Sequence, residues 1–121
     1  MYREKIINLI EVLQKQDNAD QKIAMVYRLL ETAGRYVTVV CEHMWKAQIQ
    51  RWDNSAEYSQ EVAEIDQKRT QVHNSLISLI KSVNRLCENN GLPRLYEGAD
   101  ERRQMGDFAF ELVEEYFRNR I

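Results

Sequence analysis

Arg69 is the side chain most out of keeping with its surroundings, because its neighbours at helical spacing, Ile65, Val72 and Leu76, are apolar. A guanidinium drawn into such a seam needs a counter-charge or a ligand. Asp66 stands three residues before it and His73 four after, so on a helix all three share a face. If 20–53 and 54–90 form an antiparallel hairpin, residues whose numbers sum to about 107 lie opposite one another, which sets Gly34 against His73 and Thr38 against Arg69. Small residues there leave space, and Tyr2 and Phe117 are expected at the same level. The set is then either a structural Asp66–Arg69 ion pair, with His73 at the core edge and Arg69 fixing the register of an oligomer, or a pocket with cationic and aromatic walls. Such a pocket suits a carboxylate or phosphate.

Other chemistries find less support. Glu42 and His43 point about 100° apart, Asp66 and His73 are two turns apart, and no Glu-x-x-His pair occurs, so no metal site or cofactor is expected. The pairs Glu61-x-x-Glu64 and Glu111-x-x-Glu114 have the one-turn spacing with which all-α nucleotide pyrophosphohydrolases hold Mg²⁺. They lie far apart in the chain, and the second lacks the following aspartate pattern. Such an Mg-dependent enzyme is the alternative to a non-catalytic protein. Cys41 and Cys87 have no adjacent base, and no serine sits in a Gly-flanked elbow. Arg94, Arg102, Arg103, Arg118 and Arg120 are interleaved with Glu97, Asp100, Glu101, Glu114 and Glu115, a pattern that does not make a nucleic-acid surface.

The elements that must position these residues are helical. Gln, Glu, Leu, Arg and Lys dominate, with four glycines and one proline, Pro93, among 121 residues. Helix one, 3–16, carries Ile6, Leu9, Ile10 and Leu13. The second, 20–53, is capped by Asp20 and shows a seam from Ile23 to Ala47 with a second apolar face through Tyr27, Gly34, Cys41, Trp45 and Trp52. The third, 54–90, is capped by Asn54 with Glu57 reaching back, and Asn89-Asn90-Gly91 before Pro93 stops it. The fourth, 100–119, starts at Asp100 and buries Met105, Phe108, Leu112 and Tyr116. The fold expected is an all-α, four-helix up-down bundle in one domain, 1–121, with helix one along 20–34 and helix four along 70–90.

The two long helices, each near 50 Å, outreach the flanking pair about twofold. Beyond them the hairpin still displays Val37, Val40, Met44, Trp45, Trp52, Tyr58, Val62 and Ile65. Burying each is worth about 1.5–3 kcal/mol, so a homodimer in which two hairpins complete a four-helix section is expected. The competing fold bends the second helix at Gly34 and buries everything in one chain. Trp45 and Trp52, seven residues apart, also suit a groove for a partner protein's helix.

A net charge of −2 with both signs scattered gives no broad attraction for nucleic acid or anionic lipid. The start of the chain does not read as a signal peptide, and no apolar run approaches the roughly 18 residues of a membrane span. A cytoplasmic protein with two buried thiols, some 30 Å apart along the hairpin, is expected.

The stretch Arg69-Thr-Gln-Val-His73-Asn74, followed by Asn84-Arg85-Leu-Cys and then by Gly91 and Tyr96, resembles a family of small, uncharacterised all-helical proteins of bacteria and phages. The resemblance covers the second half of the chain and groups Arg69, His73, Asn74 and Arg85 without implying an activity. Together these readings describe a dimeric, non-enzymatic binding protein. Its ligand is either a partner protein on the Trp45/Trp52 arm or a small anion, such as a nucleotide, near Arg69 and His73.

Overall fold

The computed structural model describes residues 2–50, 52, 55–97 and 105–117. These form α1 (Tyr2–Leu13), α2 (Ala19–Gln50), α3 (Ala56–Asn89) and α4 (Met105–Phe117), with no strand among them. α2 runs unbroken through Gly34, and a Cβ added at Gly34 would meet nothing within 4 Å. One glycine costs a helix only about 1 kcal/mol relative to alanine, too little to outweigh a continuous apolar face.

Local chemistry sets the helix ends. Asn18, in the left-handed region at φ 60, hands its carbonyl to the Lys22 amide, so α2 begins two residues earlier than a cap at Asp20 implies. Asp20 instead sits in the first turn, where a carboxylate complements the helix dipole. Ser55 caps α3 by accepting from the Tyr58 amide. The expected caps at Asn54 and Asp100 lie outside the described residues. At the other end of α3 the Leu92 amide bonds Cys87 O, the Gly91 amide bonds Glu88 O, and Gly91 takes φ 68. This double closure uses the one residue type that enters the left-handed region without strain.

The hairpin register is read from three cross-helix pairs. Gln50 Nε2 donates to Ser59 Oγ at 3.0 Å, His43 Nε2 lies 3.6 Å from Asp66 Oδ1, and the Tyr36 and His73 rings are 5.6 Å apart. Facing residues therefore sum to about 109, two more than the sequence suggests, in keeping with a cap at Ser55. His43, not Cys41, stands beside Asp66, and Tyr36, not Gly34, faces His73. Both cysteines are free, Cys87 buried and Cys41 exposed, which corrects the expectation that both thiols are interior.

α1 and α4 complete a core containing Ile6, Leu9, Leu30, Ala33, Leu76, Ile80, Phe108 and Leu112. α4 packs on α2 and α1 and meets α3 only marginally, unlike the expected position along 70–90. The α3–α4 loop accounts for the difference: Leu95 is buried, and Tyr96 is fastened to α3 by Asn84. Asn84 Nδ2 donates to Tyr96 O at 2.7 Å, and its Oδ1 accepts the Tyr96 amide at 3.2 Å. Tyr96 in turn stacks on Phe108 at 4.3 Å, and Phe108 meets the edge of Tyr2 at 5.1 Å. Glu115 then joins α4 to α1 by accepting the amides of Tyr2 at 2.7 Å and Arg3 at 3.3 Å, capping a helix that is not its own. Burial pushes the Glu115 carboxyl up, but those amides outweigh it and hold it below its ordinary value.

Asn84 is 9% exposed, so removing its amide strands the N–H and C=O of the half-buried Tyr96. Asn84→Ala is expected to lower unfolding free energy by about 1–3 kcal/mol in urea denaturation. A loss smaller than that of an average surface substitution would show that the loop is held by other contacts.

Candidate functional site

The helix period of α3 brings Asp66, Arg69 and His73 together, and the register adds Tyr36 and His43 from α2. Arg69 Nη2 and Nε donate to one Asp66 oxygen at 2.6 and 3.1 Å. That hydrogen bond holds the Asp66 carboxyl below its ordinary 3.8, with His43 adding to the effect. The same bond, against the pull of burial, raises Arg69 above its usual value. The guanidinium is 35% exposed and its carboxylate 49%, so Arg69 sits at the rim of the seam rather than within it. Beside the pair lies a cleft of ≈ 160 Å³ lined by Tyr36, Arg69, Thr70, His73 and Asn74.

The other residues expected there are placed elsewhere. Tyr2 packs on Phe108 at the α1–α4 contact, and its hydroxyl is pushed up by burial and then by Glu111 and Glu115. Phe117 lines a different, more apolar cavity of ≈ 540 Å³ with Leu30, Gly34, Thr38, Lys68 and Val72. Arg85 is exposed on α3, eleven residues beyond Asn74 and on the same stripe.

A wider groove borders the small cleft and shares Asn74 with it. Arg28, Thr32 and Arg35 of α2 face Asn74, Ser75 and Ser78 of α3 across ≈ 480 Å³. None of the residues from α2, nor Ser75 or Ser78, stands out in the sequence by motif. The available signal is charge: α3 has no acidic residue from 67 to 87, whereas it carries Lys68, Arg69, Lys81 and Arg85 there.

The catalytic alternatives gain no geometry. Glu61 pairs with Lys46 at 3.7 Å and Glu64 accepts from Gln60 on the hairpin, whereas Glu111 and Glu114 belong to α4. Burial pushes the Cys87 thiol up, away from the reactive thiolate. Of the C-terminal basic residues, Arg94 pairs with Glu88, while Arg102, Arg103, Arg118 and Arg120 lie outside the described residues.

The far end of the hairpin has a different character. Met44 is 61% exposed, Trp45 69% and Trp52 91%, and Val37, Val40, Tyr58, Val62 and Ile65 are half-buried. Tyr58 carries a buried hydroxyl without a hydrogen-bond partner among the described residues. α1 and α4, about 18 and 20 Å long, are too short to extend the full length of α2 and α3, about 48 and 51 Å long.

A family model described as a protein of unknown function, DUF3232, matches residues 2–121. The chain belongs to the DUF3232 family. No curated protein and no solved structure matches it. Family membership therefore assigns no chemistry to this DUF3232 protein, and its site must be read from its own side chains. Among the described residues no helix is long and apolar enough to cross a membrane.

Asp66 and Arg69 are both more than a third exposed, so solvent screening limits their pair to about 1 kcal/mol or less. A lowered carboxyl value means that this contribution is present above the ordinary 3.8 and fades as pH falls through the lower folded value. Asp66→Asn is expected to cost under about 1 kcal/mol at neutral pH, with the gap from wild type closing in acid, as urea titrations across pH would read. A constant gap down to strongly acidic pH would show that the carboxylate's charge is not what holds Arg69.

Proposed function

We propose that this DUF3232 protein is a non-enzymatic binding protein that works as a homodimer, assembled through the free end of the α2–α3 hairpin. The observation that carries this reading is the exposure of Met44, Trp45 and Trp52 at the end that α1 and α4 do not reach. The two indoles alone leave on the order of 300–400 Å² of apolar surface in water, about the largest patch a stable monomer usually carries. With the half-buried aliphatic seam beside them, they approach the roughly 800 Å² per partner of a standard interface.

A second copy is the occupant that fits. A hairpin end is two helices of a four-helix section, and an identical hairpin supplies two more of the same length and seam in a two-fold arrangement. Charges at this end are mixed, Lys46 with Glu61 and Arg69 with Asp66, so two copies meet without like-charge repulsion. Tryptophans at the centre of such a contact are the side chains on which affinity concentrates.

Sedimentation equilibrium at micromolar concentration is expected to report a dimer, and the double substitution Trp45→Ser, Trp52→Ser is expected to weaken it at least about tenfold while leaving helix content unchanged. A wild-type monomer at those concentrations overturns the reading, as does a dimer indifferent to both substitutions.

A further inference from the structure

We infer that the groove between α2 and α3 lined by Thr32 and Asn74 is a site for a small diphosphate-bearing ligand, with Arg28 and Arg35 as its anchors. The inference rests on the reading of the protein as a binder, and places the ligand apart from the Arg69 cleft and from the hairpin end.

The first support is the state of the three arginines. Arg69 is already neutralised by Asp66, so it offers an incoming anion little unspent charge. Arg28 and Arg35, by contrast, belong to no ion pair among the described residues; Arg35 Nη2 only donates to Thr32 Oγ1 at 3.3 Å. Both are exposed, and they are seven residues apart, hence on one stripe of α2 about 10.5 Å from each other along the axis. Two long guanidinium arms so placed can converge on one ligand, each gripping a phosphoryl group through two parallel N–H bonds.

The second support is the opposite wall. Ser75, Ser78 and Asn74 present hydroxyl and amide donors, and no carboxylate among the described residues lines the groove. Ser78, Lys81 and Arg85 follow Asn74 at four, seven and eleven residues, so the donor stripe of α3 continues as a cationic one. Over 28–35 of α2 and 74–85 of α3, the groove walls and the stripe that continues from them, the chain carries four basic residues and one acidic residue, Glu31, although its net charge is −2. Charge is thus sorted by position: the stretches that line the groove, 28–35 and 74–79, are net positive, Arg28 and Arg35 against Glu31, in a protein that is acidic as a whole. Such sorting favours local capture of an anion without the general attraction that would bring polyanions to the whole surface.

The third support is size. A groove of ≈ 480 Å³ falls within the range of small-molecule sites and admits a pyrophosphate or nucleoside diphosphate, whereas the ≈ 160 Å³ cleft beside Arg69 is below it. The groove lies at 28–35 and 74–79, below the Trp45 and Trp52 end of the hairpin, so ligand and second copy use separate surfaces.

Calorimetric titration of the full chain with inorganic pyrophosphate, with orthophosphate and a short single-stranded oligonucleotide as parallel probes, tests the site. Pyrophosphate is expected to bind more tightly than orthophosphate, with Arg28→Gln and Arg35→Gln each weakening it about tenfold or more and Arg69→Met leaving it within about twofold. Absence of pyrophosphate binding at millimolar concentration in low salt overturns the inference. So does wild-type affinity in both Gln variants, or binding of the oligonucleotide alone. Sedimentation and thermal melting of the same samples keep the two proposals distinguishable. A folded, dimeric protein that ignores pyrophosphate refutes the groove only, while a monomer that binds it through Arg28 and Arg35 refutes the dimer only.

Discussion

The structure depends on a mismatch between the length of its apolar seam and the helices available to cover it. α2 and α3 lie against each other from Tyr36 and His73 to Gln50 and Ser59, yet α1 and α4 cover only the lower part of that pair. Where they do, Ile6, Leu9, Phe108 and Leu112 are essentially out of water. Beyond Val37 and Val40, which are half-buried against that core, α2 runs on through Met44 and Trp45, which are exposed. Apolar area left in water is costly in proportion to its size, which is the physical ground for the proposed second copy.

The lower part is built to hold a fixed shape. Asn84 fastens the α3–α4 loop, Tyr96 carries that constraint to Phe108, and Glu115 closes the circuit to the first turn of α1. These are polar and aromatic contacts between elements far apart in sequence, which makes the helical ends firm while the hairpin end is kept by packing and a few exposed ion pairs.

Helical class, the number of helices and their approximate bounds were legible in the sequence because each rests on a local pattern. Apolar spacing of three and four residues marks α1 to α4, and Asn90-Gly91 before Pro93 marks the close of α3. The continuity of α2 through Gly34 followed from the weakness of a lone glycine as a breaker. The seating of α4 was not legible, since it depends on Leu95 and Tyr96 filling the space beside α3, a tertiary event that no periodicity encodes. Nor was the two-residue difference in register, which moved Tyr36 and His43 into the places assigned to Gly34 and Cys41. The Asp66–Arg69 pairing was readable from i, i+3 spacing alone, whereas Arg28, Arg35, Ser75 and Ser78 come together only once two helices are aligned.

The central claim is that the hairpin end is covered in solution by a second copy, and the chain carries its own reporter for it. Trp45 and Trp52 are its only tryptophans and both lie at that end. Intrinsic emission and acrylamide quenching, followed from micromolar to nanomolar concentration, therefore read the state of this surface alone. The account predicts blue-shifted, poorly quenched emission at high concentration that moves to the red and becomes quenchable on dilution. Emission typical of water-exposed indole, unchanged across the whole range, would contradict it.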